Sequence, residues 1–286
     1  METAVIGFAV DEGVLFSNHK GKHTDRIETR QRKLARQIAF IRPFLRDEER
    51  VLLITTGCSP FSFLERYLTS LTIYYFKRSL FVFTNQRIFH VPTKLNYSYR
   101  NSIAQIELGD CSRILMKGST LVVDYNSEKV EKFFNIGRRE RKKIKSLVDT
   151  LSVSSHQDST TERSFLCPRC TSILEKGNAT CRSCRLEFKS RAAGRKISIL
   201  VPGGGYFYTQ QPTMGSVEAV FEIFLLLGVV VSLAGYVDGE QGAIGAAMVY
   251  GILLVYVKLI AIHYCGRFLD EFLPIDAEIR VRPKSK

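Results

Sequence analysis

The chain lacks the Gly-x-Ser-x-Gly elbow of a nucleophilic enzyme, and no motif in its 286 residues marks a Ser-His-Asp triad. No deep-pocket carboxylate pair can be established from the sequence. The five histidines, His19, His23, His90, His156 and His263, follow no metal-ligand or general-base spacing. His19 and His23 stand four apart and read as solvated side chains. Nothing in the sequence points to an enzyme. No internal repeat of long period is present. Met1-Glu2-Thr3-Ala4 offers neither a basic start nor a long apolar run, so no export signal is expected. Without export, paired cysteines are expected as metal ligands rather than disulfides.

Acidic residues are in short supply. Twenty-eight Asp and Glu stand against 41 Lys and Arg, giving a net charge of +13. Such an excess favours nucleic acid, anionic lipid headgroups or acidic proteins, or it reflects a generally basic solvated surface. The charge concentrates before residue 200, and the long apolar runs follow residue 216.

Residues 1–48 form an N-terminal segment. Within it Ile27, Leu34, Ile38, Ile41 and Leu45 repeat at helical spacing, predicting an amphipathic helix from about Thr24 to Arg46, kinked by Pro43. From about Val51 to Ile136 the texture becomes β-rich. Strands are expected at Val51–Thr56, Ser79–Thr84, Gln86–Val91, Tyr99–Leu108, Arg113–Met116, Thr120–Tyr125 and Val130–Asn135, separated by Gly, Asp and Asn turn signals. Residues 61–76 fit less well, as a helix or an inserted strand. A helix from Arg138 to Leu151 carries Ile144, Leu147, Val148 and Leu151 on one stripe. Polar residues 153–164 read as a linker.

Several short antiparallel strands closed by one helix resemble the pleckstrin-homology-like fold. Leu80-Phe-Val-Phe-Thr-Asn-Gln-Arg-Ile-Phe is similar to the strand, Thr-Asn-x-Arg turn and strand of its bacterial members. The resemblance covers about residues 45–152 and implies a small β-barrel or sandwich over residues 49–152. Another small β-barrel is the alternative, and the fold itself names no ligand.

Cys167-Pro-Arg-Cys170 and Cys181-Arg-Ser-Cys184 are two Cys-x-x-Cys knuckles with ten residues between them. Each knuckle places two sulfurs on one side of a turn, and two knuckles supply four thiolates to a tetrahedral zinc ion. Residues 165–188 resemble the short zinc ribbons fused to many membrane and regulatory proteins. Thr171 and Arg185 stand where those ribbons commonly have glycine. With all four positions filled by protein, a structural Zn²⁺ is expected. An iron site and disulfides remain as alternatives. Few aromatics accompany the basic residues here, which favours protein contact over base stacking.

Residues 189–215 form a basic bridge and a Gly-rich turn. Ile197 to Tyr208 resembles the Pro-Gly-x-Gly-x-x-Tyr turn of bacterial paired-transmembrane-helix families, which implies an interfacial or re-entrant element ahead of a membrane helix. No Lys-Ser/Thr follows the glycines, so a phosphate-cradling loop is disfavoured.

Within residues 216–265, 217–237 and 243–264 are each long enough to cross a membrane as a helix. Buried helices of a soluble domain are the alternative. The connecting loop has no Lys or Arg. Basic residues flank the pair on both outer sides, including those of a tail at 266–286. The positive-inside rule therefore expects an integral protein of the cytoplasmic (inner) membrane with both termini cytosolic. Glu222 and Lys258 each lie 18 residues from Glu240. They are expected at similar depth, paired across the helices or snorkelling together.

Arg138, Arg139, Arg141, Lys142, Lys143 and Lys145 form a basic cluster. It reads as an anionic-headgroup surface, a solvated face or a nucleic-acid contact. Together these features predict a multi-domain α+β chain: a PH-like β domain, a zinc ribbon and a two-helix membrane hairpin. The expected function is that of a non-enzymatic adaptor or sensor binding membrane lipid or a protein partner. The alternatives are a subunit of a transport or envelope complex and a membrane-tethered nucleic-acid binder.

Overall fold

The computed structural model describes residues 7–62, 65–67, 73–94, 96–150 and 162–275. Most of the expected linker and the basic tail beyond residue 275 lie outside the described residues. The chain forms two compact units, residues 1–186 and 187–275.

The first unit is built on two antiparallel sheets. Strands β1 (Val51–Cys58), β2 (Arg78–Thr84), β3 (Arg87–Pro92) and β4 (Ile103–Glu107) lie side by side, and β5 (Cys111–Lys117), β6 (Thr120–Tyr125) and β7 (Val130–Phe133) form a second sheet. Paired backbone bonds between Cys58 and Phe134, at 2.8 and 3.2 Å, tie the end of β1 to the chain leaving β7. Among the short helices, α1 is Glu12–Leu15, α2 is Asp25–Gln37 and α3 is the single turn Ile73–Phe76.

The helix expected to reach Arg46 ends at Gln37, and a 3₁₀ segment, Ala39–Phe44, follows it. Pro43 supplies the reason. In an α-helix its ring would crowd the carbonyl of Ala39 and it could donate no bond there, so the tighter coil takes over. Gln31 then docks α2 on the first sheet: its amide donates to Ile54 O at 2.9 Å and accepts from Ile54 N at 3.0 Å.

The first sheet is buried on both faces. Leu53, Phe81, Phe83 and Ile88 pack with the second sheet and with helix α4 (Arg141–Thr150). Their neighbours Ile54, Leu80, Val82 and Phe89 point the other way, into a second core with Leu15, Leu34, Ile38 and Phe44. Successive strand residues face opposite sides, so a sheet covered twice reads as a continuous apolar run. The N-terminal segment therefore completes the β domain instead of standing apart from it.

The Thr-Asn-x-Arg turn has a structural task. Thr84 Oγ donates to Glu49 at 2.7 Å, and Arg87 clasps the same buried carboxylate at 3.0 and 2.8 Å. Burial pushes the Glu49 carboxyl up, but the hydrogen bonds from Arg87 and the Arg46 N–H outweigh it and hold the group below its ordinary value.

The second unit contains α5 (Arg191–Leu200), α6 (Gly204–Tyr208), α7 (Pro212–Val237) and α8 (Ala243–Leu269). Helices α7 and α8 are long and apolar enough to cross a membrane. The stretch expected as a basic bridge is largely α5, capped where Ser190 Oγ accepts from Ala193 N at 3.2 Å. Helical spacing was hidden there by Gly194, whose place is set by packing: a Cβ on it would meet Cys265 Sγ and Leu269 at 2.8 Å.

Candidate metal centre and ion-pair site

The two Cys-x-x-Cys segments fold as copies of one knuckle. Cys167 N donates to Ser172 O at 2.8 Å and Thr171 N to Cys167 O at 2.9 Å; Cys181 N and Arg185 N make the equivalent bonds to Leu186 O and Cys181 O at 2.9 and 2.8 Å. Thr171 and Arg185, which replace glycine, adopt left-handed backbone with φ of 62° and 55°. The turn demands that conformation whichever residue occupies it.

The knuckles bring Cys167, Cys170, Cys181 and Cys184 together, with all four sulfurs within 4.8 Å of one another. Across the knuckles, Cys167–Cys184 and Cys170–Cys181 are 3.5 and 3.6 Å apart. Zinc–sulfur bonds of about 2.3 Å in a tetrahedron require edges of about 3.8 Å. The four thiols are free, not bridged. The donor set therefore fits a tetrathiolate metal ion. Ser172 Oγ, 3.0 and 3.3 Å from the sulfurs of Cys170 and Cys181, can donate to thiolate charge.

This centre is fused to the first sheet. Strand β8 (Ser164–Leu166) pairs with β4, Ile103 opposite Leu166 and Ala104 opposite Phe165, and leads directly into Cys167. Strand β9 (Ile173–Leu174) returns beside β8, extending the order to β1-β2-β3-β4-β8-β9. The polar composition of residues 153–164 suggested a linker ahead of the metal centre. The pairing of Ser164 and Phe165 with β4 was not legible, because a three-residue strand carries too little pattern.

Helices α5 to α8 converge on a second polar site. Lys258 Nζ lies 2.8 Å from Glu222, which is 1% exposed. Each group also closes a helix end. Lys258 donates to Ser198 O at 2.8 Å and approaches Val201 O at 3.4 Å, at the carbonyl end of α5. Glu222 accepts from Gly203 N at 3.2 Å, just before α6. Cations suit carbonyl ends and anions suit amide ends, so both partners sit where the helix dipoles favour them. Gly203 makes the approach possible. Its φ is +65°, and a Cβ there would lie 2.0 Å from Gly215 O. The sequence located the two charges but not these three backbone partners; the Pro-Gly-Gly-Gly run was the available signal.

The basic cluster divides. Arg138, Arg139, Lys142 and Lys145 are exposed and Arg141 is half-buried, its Nε donating to Ile136 O at 2.8 Å. Lys143 has no place on a surface that binds anions. It is buried, donating to Val14 O, to Leu15 O at 3.2 Å and to Ser17 O at 2.7 Å. Burial lowers its pKa to about 8. The reason is helical position: residue 143 shares the inward face with Glu140, Ile144 and Leu147.

Other reactive groups are sealed in. His90, Ser59 and Ser79 meet at 2.7–3.1 Å but are all buried, and burial drives the imidazole well below its ordinary value, leaving it neutral. Burial pushes the Cys58 and Cys111 thiols up to about 11 and about 12, which removes thiolate nucleophiles. His23, Asp25 and Glu28 cluster on the surface, with Glu28 already taken by Arg32 at 2.7 Å.

No family model matches the chain, and no curated protein matches it.

Proposed function

We propose that this chain is a non-enzymatic adaptor anchored in the cytoplasmic membrane by α7 and α8, with a zinc-stabilised β domain that contacts anionic lipid or a protein partner on the cytosolic side. The observation that carries the reading is the insertion of the four-cysteine centre into the edge of the β1–β4 sheet. A tetrathiolate zinc has no open position for water or substrate, and its role there is to hold shape. Four strands, three strands and a closing helix also support the PH-like reading of residues 49–152.

The anchor reading is supported by the length of α7 and α8 and by the large apolar side chains they leave uncovered, such as Val220, Phe224, Val231 and Ile252. Both members of the Glu222–Lys258 pair serve as helix caps, which favours a supporting role over a transport path. The exposed bases Arg138, Arg139, Lys142 and Lys145 are the contact surface, each contributing about 1 kcal/mol near anionic lipid. A photoactivatable residue placed at position 139 or 142 of the full-length chain, in its own membrane, should cross-link to anionic lipid or to one discrete protein. Cross-linking to nucleic acid, or to nothing, contradicts the reading.

A further inference from the structure

The second unit holds a basic cleft that the adaptor reading leaves without a task. It measures about 430 Å³ and is lined by Arg191 and Arg195 of α5 and by Leu259, Ile262, His263, Gly266 and Arg267 of α8. The two arginines of α5 stand one turn apart. The five residues of α8 recur at spacings of three and four, so they occupy one helix face. Gly194 lets α5 lie close against α8, which brings the two rows together. Gly266 leaves the floor open, since a Cβ there would meet no atom within 4 Å.

That face of α8 changes character along its length. Ile252, Val255 and Leu259 are 69, 59 and 60% exposed. Beyond Ile262 the same face carries His263, Gly266 and Arg267. Counting about 1.5 Å per residue from Ala243, a hydrocarbon core of about 30 Å ends near Ile262. The cleft thus straddles the boundary between acyl chains and headgroups, on the side where the flanks are basic. Asp270 takes Arg191 Nε at 2.8 Å, and Arg195 lines the cleft beside it.

We infer that this cleft binds the phosphate of an anionic glycerophospholipid, its acyl chains lying along Ile252, Val255 and Leu259. Guanidinium forks match phosphate oxygens bidentately, and the apolar wall selects a lipid over a free anion. This inference rests on α7 and α8 spanning a membrane. It does not depend on the basic cluster of the first unit.

The test uses the full-length protein in neutral detergent, followed by thermal unfolding. Phosphatidylglycerol should raise the Tm in a saturable way, because a ligand bound only to the folded state stabilises it. Phosphatidylcholine and inorganic phosphate should not. Arg195→Gln should weaken the response at least tenfold in lipid concentration. Gly266→Leu, which fills the cleft without a backbone clash, should do the same, and Lys196→Gln, outside the cleft, should not. Three results overturn the inference: equal responses to both lipids, a response reproduced by phosphate alone, or unchanged responses in both cleft variants. A chain that stays soluble without detergent would instead overturn the membrane reading beneath it.

Discussion

Leu166 is paired with Ile103 across the ladder between β4 and β8, and the next residue is the metal-ligating candidate Cys167. On the proposed zinc reading, metal binding and sheet completion are one event. Chelation, or Cys181→Ser, should expose the amides of β8 and β9 and also loosen those of β4. Hydrogen exchange on the zinc-loaded and chelated chain checks this. Protection lost only within residues 167–186 would contradict it.

Glu222 and Lys258 are joined to each other and to the two ends of the glycine turn. Removing Lys258 alone leaves the buried Glu222 carboxylate without its counter-ion, and removing Glu222 alone leaves Lys258 with backbone carbonyls only. Glu222→Leu and Lys258→Leu should each cost about 3 kcal/mol, and the double variant clearly less than their sum. A double-mutant cycle of unfolding in detergent reads the coupling. Simple additivity would dissolve the pair as an energetic unit.

Lys143 should separate from its basic neighbours. Lys143→Met leaves the carbonyls of Val14, Leu15 and Ser17 without that donor and should cost about 2 kcal/mol, with lipid or partner cross-linking unchanged. The joint replacement of Arg139 and Lys142 by Gln should do the reverse. The sign of the pH effect follows from the lowered pKa of about 8. Between there and the ordinary lysine value near 10.5 the unfolded chain holds more protons, so this residue's contribution to stability rises with pH. Stability profiles of wild type and Lys143→Met across that interval should diverge as pH increases, the wild type gaining.

Glu49 supplies the opposite dependence. Its carboxyl is held low, so its contribution is complete above the unfolded value near 4.3 and is lost as pH falls through the folded value. Glu49→Gln should destabilise the chain at pH 7 by about 3 kcal/mol, because Arg87 keeps its charge in a buried site. The variant should also show a flatter acid limb in thermal unfolding. Superimposable acid limbs would remove Glu49 from the account.

The sequence made some of this legible and concealed the rest for identifiable reasons. Strands β1 to β7 announced themselves because β-branched and aromatic runs were separated by turn residues. The four cysteines were visible through spacing alone. The sharing of one sheet by the N-terminal helices and the metal centre was hidden, since both depend on contacts between segments distant in sequence. Helix α5 was obscured by a glycine required for packing and by basic residues that read as a flank. Lys143 was misplaced because charge composition outweighed its position on a helical stripe. The Thr84–Arg87 turn suggested a family and proved to be anchored by Glu49, a residue no motif singled out.

The account depends most on α7 and α8 crossing the membrane with the loop at residues 238–242 outside. Replacing Glu240 with Cys and treating intact cells with a membrane-impermeant maleimide tests it directly. Labelling at position 240 without permeabilisation, in a protein that alkaline carbonate does not release from the membrane, is the predicted result. Labelling only after the cells are opened, or release of the chain by carbonate, would contradict it.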